Sequence, residues 1–216
     1  MTYLNGQREI LPDSRLFEPV RQLLTLTECV AVAFMVTQNR AIPNINTSYF
    51  PSRNFDLTVA VPSRGPLALA IHDEKPDRIA LGFMPGQAQH LREQLPETGR
   101  SGTLFPLLTM AAGVALANFY ESHRDWLRQA NGLSGGVDHW PPVLNFGRAI
   151  RNFIAHSGRV YFDRPTALPV GWHHLQFSYA DQGREVIGTE IQYPEMVILM
   201  VEMADELDRL GAPVPS

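Results

Sequence analysis

LFPLLTMAAGVALANFYESHRDWLRQ, which runs from about Leu104 to Gln129, reads as one long helix. Thr103 is placed to cap it, Pro106 sits in its first turn and Gly132 follows its end. Its centre, Met110-Ala-Ala-Gly-Val-Ala115, is small and apolar, so a second helix can approach closely and this helix is expected to be central. Three more helical patterns lie around it. Leu23, Leu24, Thr27, Val30, Ala31, Phe34 and Met35 fall at helical spacing between about Pro19 and Gln38. Another helix spans about Val143 to His156 and stops at Ser157-Gly158. The last starts near Pro194 and stops at Gly211, with a stripe of Met196, Met200, Met203, Leu207 and Leu210 that reads as core filler.

The remaining patterns are β-like. Phe55–Val61, Leu67–Ile71 and Arg78–Phe83 are short apolar runs between Pro and Gly turns, and a short helix from Pro85 to Leu95 is expected after them. His174–Tyr179 alternates strictly and is expected to pair with Arg184–Ile191 across an Asp181-Gln-Gly183 turn. The polar loop Ala41–Asn54 reads as irregular. The expected architecture is mainly α: one domain over 1–216, with a helical core at about 13–40 and 103–211. A β-rich insertion at about 44–95 and a second β-hairpin decorate it.

Composition narrows the function. The chain has 216 residues, is 44% hydrophobic and carries a net charge of −4, which is a globular profile. Cys29 is the only cysteine, so an intramolecular disulfide is impossible and a cytoplasmic location fits. No basic flank precedes an apolar N-terminal core, and the run Cys29–Val36 is shorter than a bilayer requires, so neither a signal peptide nor a membrane partner is expected. Lys75 is the sole lysine among 18 basic residues. The acidic balance and the lack of a basic run disfavour nonspecific binding to long nucleic acid, but leave room for a small arginine-lined phosphate site.

Asn145-Phe-Gly-Arg-Ala-Ile-Arg-Asn-Phe-Ile-Ala-His156 carries the chemistry. On a helix, Phe146, Ala149, Ile150, Phe153 and Ile154 form an apolar face. Arg148, Arg151 and Asn152 project opposite, with His156 at the flank; Arg148, Asn152 and His156 share one line at four-residue spacing. The same side chains also fit a solvated helix face, with His156 serving the helix C-terminus.

Arg151-Asn152-Phe-Ile-Ala-His156 resembles the Arg-x4–6-His motif of the HEPN (higher eukaryotes and prokaryotes nucleotide-binding) domains. The resemblance implies a HEPN-like helical bundle, with the motif closing its third helix. It implies a metal-independent endoribonuclease of the kind found in toxin or defence systems, with Arg151, Asn152 and His156 catalytic and Arg148 binding substrate. The alternative is a non-catalytic dimeric relative that binds a nucleotide or a protein. RNA or a nucleotide, a second copy of the chain and an antitoxin are the implied partners; no cofactor and no metal are expected.

The chemistry of such a site can be stated. The RNA 2′-hydroxyl attacks the adjacent phosphorus, an imidazole of ordinary pKa about 6.5 moves the proton, and a guanidinium neutralises the phosphorane oxygens. Residues five apart on a helix are about 140° apart. Arg151 and His156 therefore need either an unwound helix end or a two-fold dimer to meet one phosphate. The family's toxin members often carry a tyrosine two residues after the histidine; here that position is Gly158, and the nearest tyrosine is Tyr161.

Other clusters offer less. His173-His174 beside Trp172 point to opposite faces of a strand. Glu121 and Asp125 share a helix face without His123, which reads as a solvated face. Asp138-His-Trp-Pro-Pro142 could rim a cleft, and no phosphate-loop or esterase motif is present.

Overall fold

The computed structural model describes residues 6–37, 47–52, 54–61, 65–85, 104–129 and 136–215. It is an α+β mixture, about 53% helical and 16% strand, with a four-stranded antiparallel sheet and a two-stranded one. This corrects the expected mainly α, HEPN-like helical bundle with β-hairpin insertions. The chain divides into two compact units, Met1–Leu108 and Thr109–Ser216.

The first unit is organised by the sheet. Its strands are β1 (Gly6–Ile10), β2 (Thr47–Pro51), β3 (Phe55–Ala60) and β4 (Ile79–Pro85), in the order β1-β4-β3-β2. The pairs Ile10↔Ile79, Val59↔Leu81 and Leu57↔Phe83 are in register, and all six side chains are buried. An apolar run spread over three strands therefore makes one continuous core face. This is why the segments cannot be separate hairpins hung on a bundle.

Helix α1 (Phe17–Thr37) buries Phe17, Val20, Leu23, Leu24 and Thr27 at helical spacing. By length and composition alone, Phe17–Val36 is apolar enough to cross a membrane, the only such helix among the described residues, with a mean hydropathy of 1.4. Reading only Cys29–Val36 missed this, because the apolar stretch starts a dozen residues earlier.

Leu67–Ile71, expected as a strand, is part of helix α2 (Pro66–Ile71). Proline at the first helical position presets φ. The Glu28 carboxylate of α1 accepts the Leu67 N–H at 2.6 Å, which satisfies a donor at the helix start. A side chain at Gly65 would collide with that same carboxylate, 2.3 Å from its Oε1. The expected irregular loop contains β2, and the helix expected at Pro85–Leu95 lies, after Pro85, outside the described residues.

The second unit is built from helices α3 (Leu104–Gln129, beyond Leu108), α4 (Pro142–Ala155) and α5 (Tyr193–Arg209). The small patch on α3 does admit its neighbours: an added Cβ on Gly113 would stand 3.4 Å from Ile154 and 3.7 Å from Met196. Gly147 of α4 is pressed more tightly, since a Cβ there would meet the Met203 sulfur at 2.3 Å. Met196, Met200 and Met203 are buried, as core filler should be.

Strands β5 (Val170–Trp172) and β6 (Leu175–Phe177) form the second hairpin. Phe146 lies 5.5 Å from Trp172 and 5.8 Å from Phe177, ring to ring, and Phe153 lies 5.5 Å from Phe177. The partner expected for β6, Arg184–Ile191, is turns and isolated bridges instead. The hairpin closes through His173-His174, with His173 at φ 51°. Its Nε2 is held 2.8 Å from Glu202, whose other oxygen accepts the Trp172 N–H at 2.7 Å. A histidine in a left-handed turn gives no Gly or Asn signal, so the turn was invisible to pattern reading.

Candidate anion-binding cleft

Helix α4 behaves as its spacing demands. Leu144, Phe146, Gly147, Ala149, Ile150 and Phe153 are buried, and Arg148, Arg151 and Asn152 emerge on the other side. That polar side is half-buried. It forms one wall of a cleft of about 500 Å³. The opposite wall is α3, which contributes Tyr120, Glu121, Arg124 and Arg128 from one face. Gly136, Val137 and Trp140 of the connection into α4 close one end, and Asp163 and Arg164 of the following loop complete the lining.

Five arginines thus face two carboxylates in a chain that is acidic as a whole. The carboxylates do not neutralise them evenly. Glu121 forms ion pairs with Arg151 and, at 3.1 Å, with Arg124. Arg151 also donates to Asn152 Oδ1 at 3.2 Å. Among the described residues, Arg128 and Arg164 have neither an ion pair nor a hydrogen bond, and Arg148 donates only to the neutral Asn145 Oδ1, at 3.0 Å.

Arg148 is the most informative of these. Burial pushes its guanidinium down from its ordinary value, against smaller opposing effects of Tyr120, Asp138 and Asp163. An arginine remains protonated regardless. The shift reflects a cation partly stripped of water, with Asp138 and Asp163 acting on it and neither forming an ion pair with it. Tyr120, beside it, has its phenol pushed up by burial and stays neutral.

A second cleft of about 350 Å³ adjoins the first and shares Gly136, Val137, Arg148, Asn152, Asp163 and Arg164 with it. Its remaining lining is Asp138, Ala149, Tyr161, Phe162, Thr166, Ala167 and Leu168.

The four residues expected to form the site separate into two groups. Arg148, Arg151 and Asn152 share the first cleft. His156 lines neither cleft. Helix α4 ends at Ala155, and His156 is its C-cap, with φ −105° and ψ 43° and its N–H bonded to the Asn152 and Phe153 carbonyls. The following Ser157 and Gly158 take φ 59° and 77°, which turns the chain away. The exposed imidazole stacks on Tyr161 at 3.5 Å between centroids and 12° between planes, and Tyr161 lines the second cleft.

No protein family, curated protein or solved structure matches this chain. Function has to be read from the clefts themselves.

Several lining residues went unrecognised in the sequence. Tyr120, Arg124 and Arg128 recur at helical spacing with Glu121, but only Glu121, with Asp125, is singled out from the sequence, as a solvated face. Glu121 is instead a partly buried partner of two arginines. His123, between them, is buried with Nδ1 2.8 Å from the Phe119 carbonyl. Trp140 does rim the cleft, as its loop position suggested. Arg164 has no periodic context and only the fold brings it in. Among the described residues, no three His, Cys, Asp or Glu side chains gather as a metal-binding group.

Proposed function

We propose that the Thr109–Ser216 unit binds RNA through its phosphates in the arginine cleft. One observation carries the reading: Arg128, Arg148 and Arg164 converge there without a carboxylate ion pair, and Arg148 is partly dehydrated. A phosphate oxygen gives such a group the charge-assisted hydrogen bonds that it lacks. The test is fluorescence anisotropy of the full chain with labelled single-stranded RNA over a range of salt concentrations. Three engaged phosphates give a log–log slope of about −2. A salt-independent affinity, or none, contradicts the proposal.

A second reading, metal-independent endoribonuclease activity, requires His156, which lines neither cleft, to reach the phosphate from a second copy of the chain. The resemblance of Arg151–His156 to the HEPN motif supports it. In that reaction the 2′-oxygen bonds to phosphorus and the phosphorus–O5′ bond breaks. The imidazole accepts the 2′ proton, and solvent returns a proton to O5′. The products are a 2′,3′-cyclic phosphate and a 5′-hydroxyl. His156→Ala should abolish cleavage in EDTA and leave RNA affinity unchanged. RNA that is bound but never cut discards the nuclease and leaves a non-catalytic binding protein.

A further inference from the structure

The two adjoining clefts differ in chemistry. The first is walled by guanidinium groups. The second adds Tyr161, Phe162, Ala167 and Leu168, together with Asp138, while Arg148, Asn152, Asp163 and Arg164 line both. A bare anion needs only the first. A ligand that fills both carries negative charge at one end and sets a flat body, with polar groups on its edge, beside Tyr161, Phe162, Ala167 and Leu168 at the other. The second cleft, at about 350 Å³, is large enough for a small-molecule group, since such sites begin at about 300 Å³.

Tyr161 defines the geometry further. His156 covers one face of its ring at stacking distance and does not reach the cleft. A planar ring seated in the second cleft has Tyr161 among its neighbours, and Thr166 and Asn152 offer hydrogen-bonding groups to its edge. Leu168, 57% exposed, leaves an apolar lip open to such a group.

We propose that the second cleft seats the unpaired base of a nucleotide whose phosphate lies among Arg128, Arg148 and Arg164. This rests on reading the first cleft as a phosphate site, and it narrows the ligand to a strand whose bases are free. A duplex presents the same phosphates with its bases already paired and stacked, so the second cleft stays empty.

The test compares three probes on the full chain: a labelled single-stranded 12-mer RNA, the same RNA annealed to its complement, and inorganic tripolyphosphate as competitor. The single strand should bind at least about tenfold tighter than the duplex. Ala167→Trp, which fills the second cleft, and Tyr161→Leu, which keeps apolar bulk but removes the ring, should each weaken the single strand about five- to hundredfold. Neither should alter the concentration at which tripolyphosphate competes. Two variants are used so that one misfolded protein, recognised by a lost thermal transition, does not decide the matter. Equal affinity for single strand and duplex, or two folded variants that bind single strand normally, overturns the base site and leaves the phosphate reading standing. A wild-type chain that binds neither RNA nor tripolyphosphate overturns the phosphate reading itself.

Discussion

Replacing Arg148 with methionine separates a binding arginine from a structural one, because the two roles change stability and affinity in opposite ways. The guanidinium is partly buried, has no carboxylate ion pair and donates one hydrogen bond to neutral Asn145. Arg148→Met keeps the aliphatic stem and removes the charge. The lost neutral bond costs about 0.5–1.5 kcal/mol, and relief of the dehydrated charge offsets it, so stability should stay within about 1 kcal/mol of wild type. Binding should suffer more. A hydrogen bond to a charged group contributes about 1.5–3 kcal/mol, which is about 10- to 150-fold in affinity for RNA. The salt slope should also fall by about 0.7, one phosphate's share on a single strand. Anisotropy titrations at several salt concentrations measure the affinity and the salt slope, and urea unfolding measures the stability. A variant destabilised by more than about 2 kcal/mol whose RNA affinity is untouched would show that Arg148 pins the fold and that the cleft reading is mistaken.

Glu121→Gln should release Arg151 and Arg124 toward the cleft, raising RNA affinity severalfold at low salt while lowering stability by only about 1 kcal/mol, because all three side chains are about one-third exposed; unchanged affinity in anisotropy would mean that the freed guanidiniums do not reach the ligand. Gly147→Val forces a branched side chain against the Met203 sulfur and should cost about 1–3 kcal/mol in urea unfolding, whereas a neutral result would mean that α4 and α5 are less tightly packed than described. The Glu18 carboxyl is held below its ordinary range chiefly by its hydrogen bond with Lys75, with burial opposing and Arg21 assisting. A lowered folded-state pKa means that the stabilisation is present above the unfolded value and is lost as pH falls through the folded one. Glu18→Gln should therefore cost less than about 1 kcal/mol at pH 7 and nothing once the carboxyl is protonated, with unfolding at the two pH values as the check. A deficit that persists in acid would point to a packing role.

What was legible in the sequence was local. The apolar face of α4, its stop at Ser157-Gly158, the methionine core of α5 and the small-residue patch of α3 follow from helical periodicity and from side-chain size. What was not legible depended on pairing between distant segments. Residues 6–10 have too little context to announce a strand until β4 offers them an edge. Pro66-Leu-Ala-Leu-Ala-Ile71 has the apolar character of a strand, and it is helical because a proline starts it and Glu28, far away in sequence, satisfies its N-terminus. The first effect completes the four-stranded sheet that makes the protein α+β rather than a bundle, and the second replaces an expected strand with a helix.

The site followed the same division. Arg148, Arg151 and Asn152 could be placed on one polar side of a helix from spacing alone. Their counterparts on α3 obey the same spacing, but a charged helical face looks identical whether it meets water or another helix. Arg164 and Tyr161 enter from an irregular segment after Gly158, where no period exists to read. The stacking of His156 on Tyr161 follows from the left-handed turn at Ser157-Gly158, which folds that segment back against the helix end.

Arginine side-chain NMR on the full chain, titrated with a short single-stranded RNA, interrogates the cleft residue by residue. The Nε–Hε signals of Arg128, Arg148 and Arg164 should move together and saturate at one RNA concentration, with Arg8 and Arg78 of the first unit unchanged. Saturable binding that leaves those three signals in place would contradict the assignment of the cleft as the RNA phosphate site.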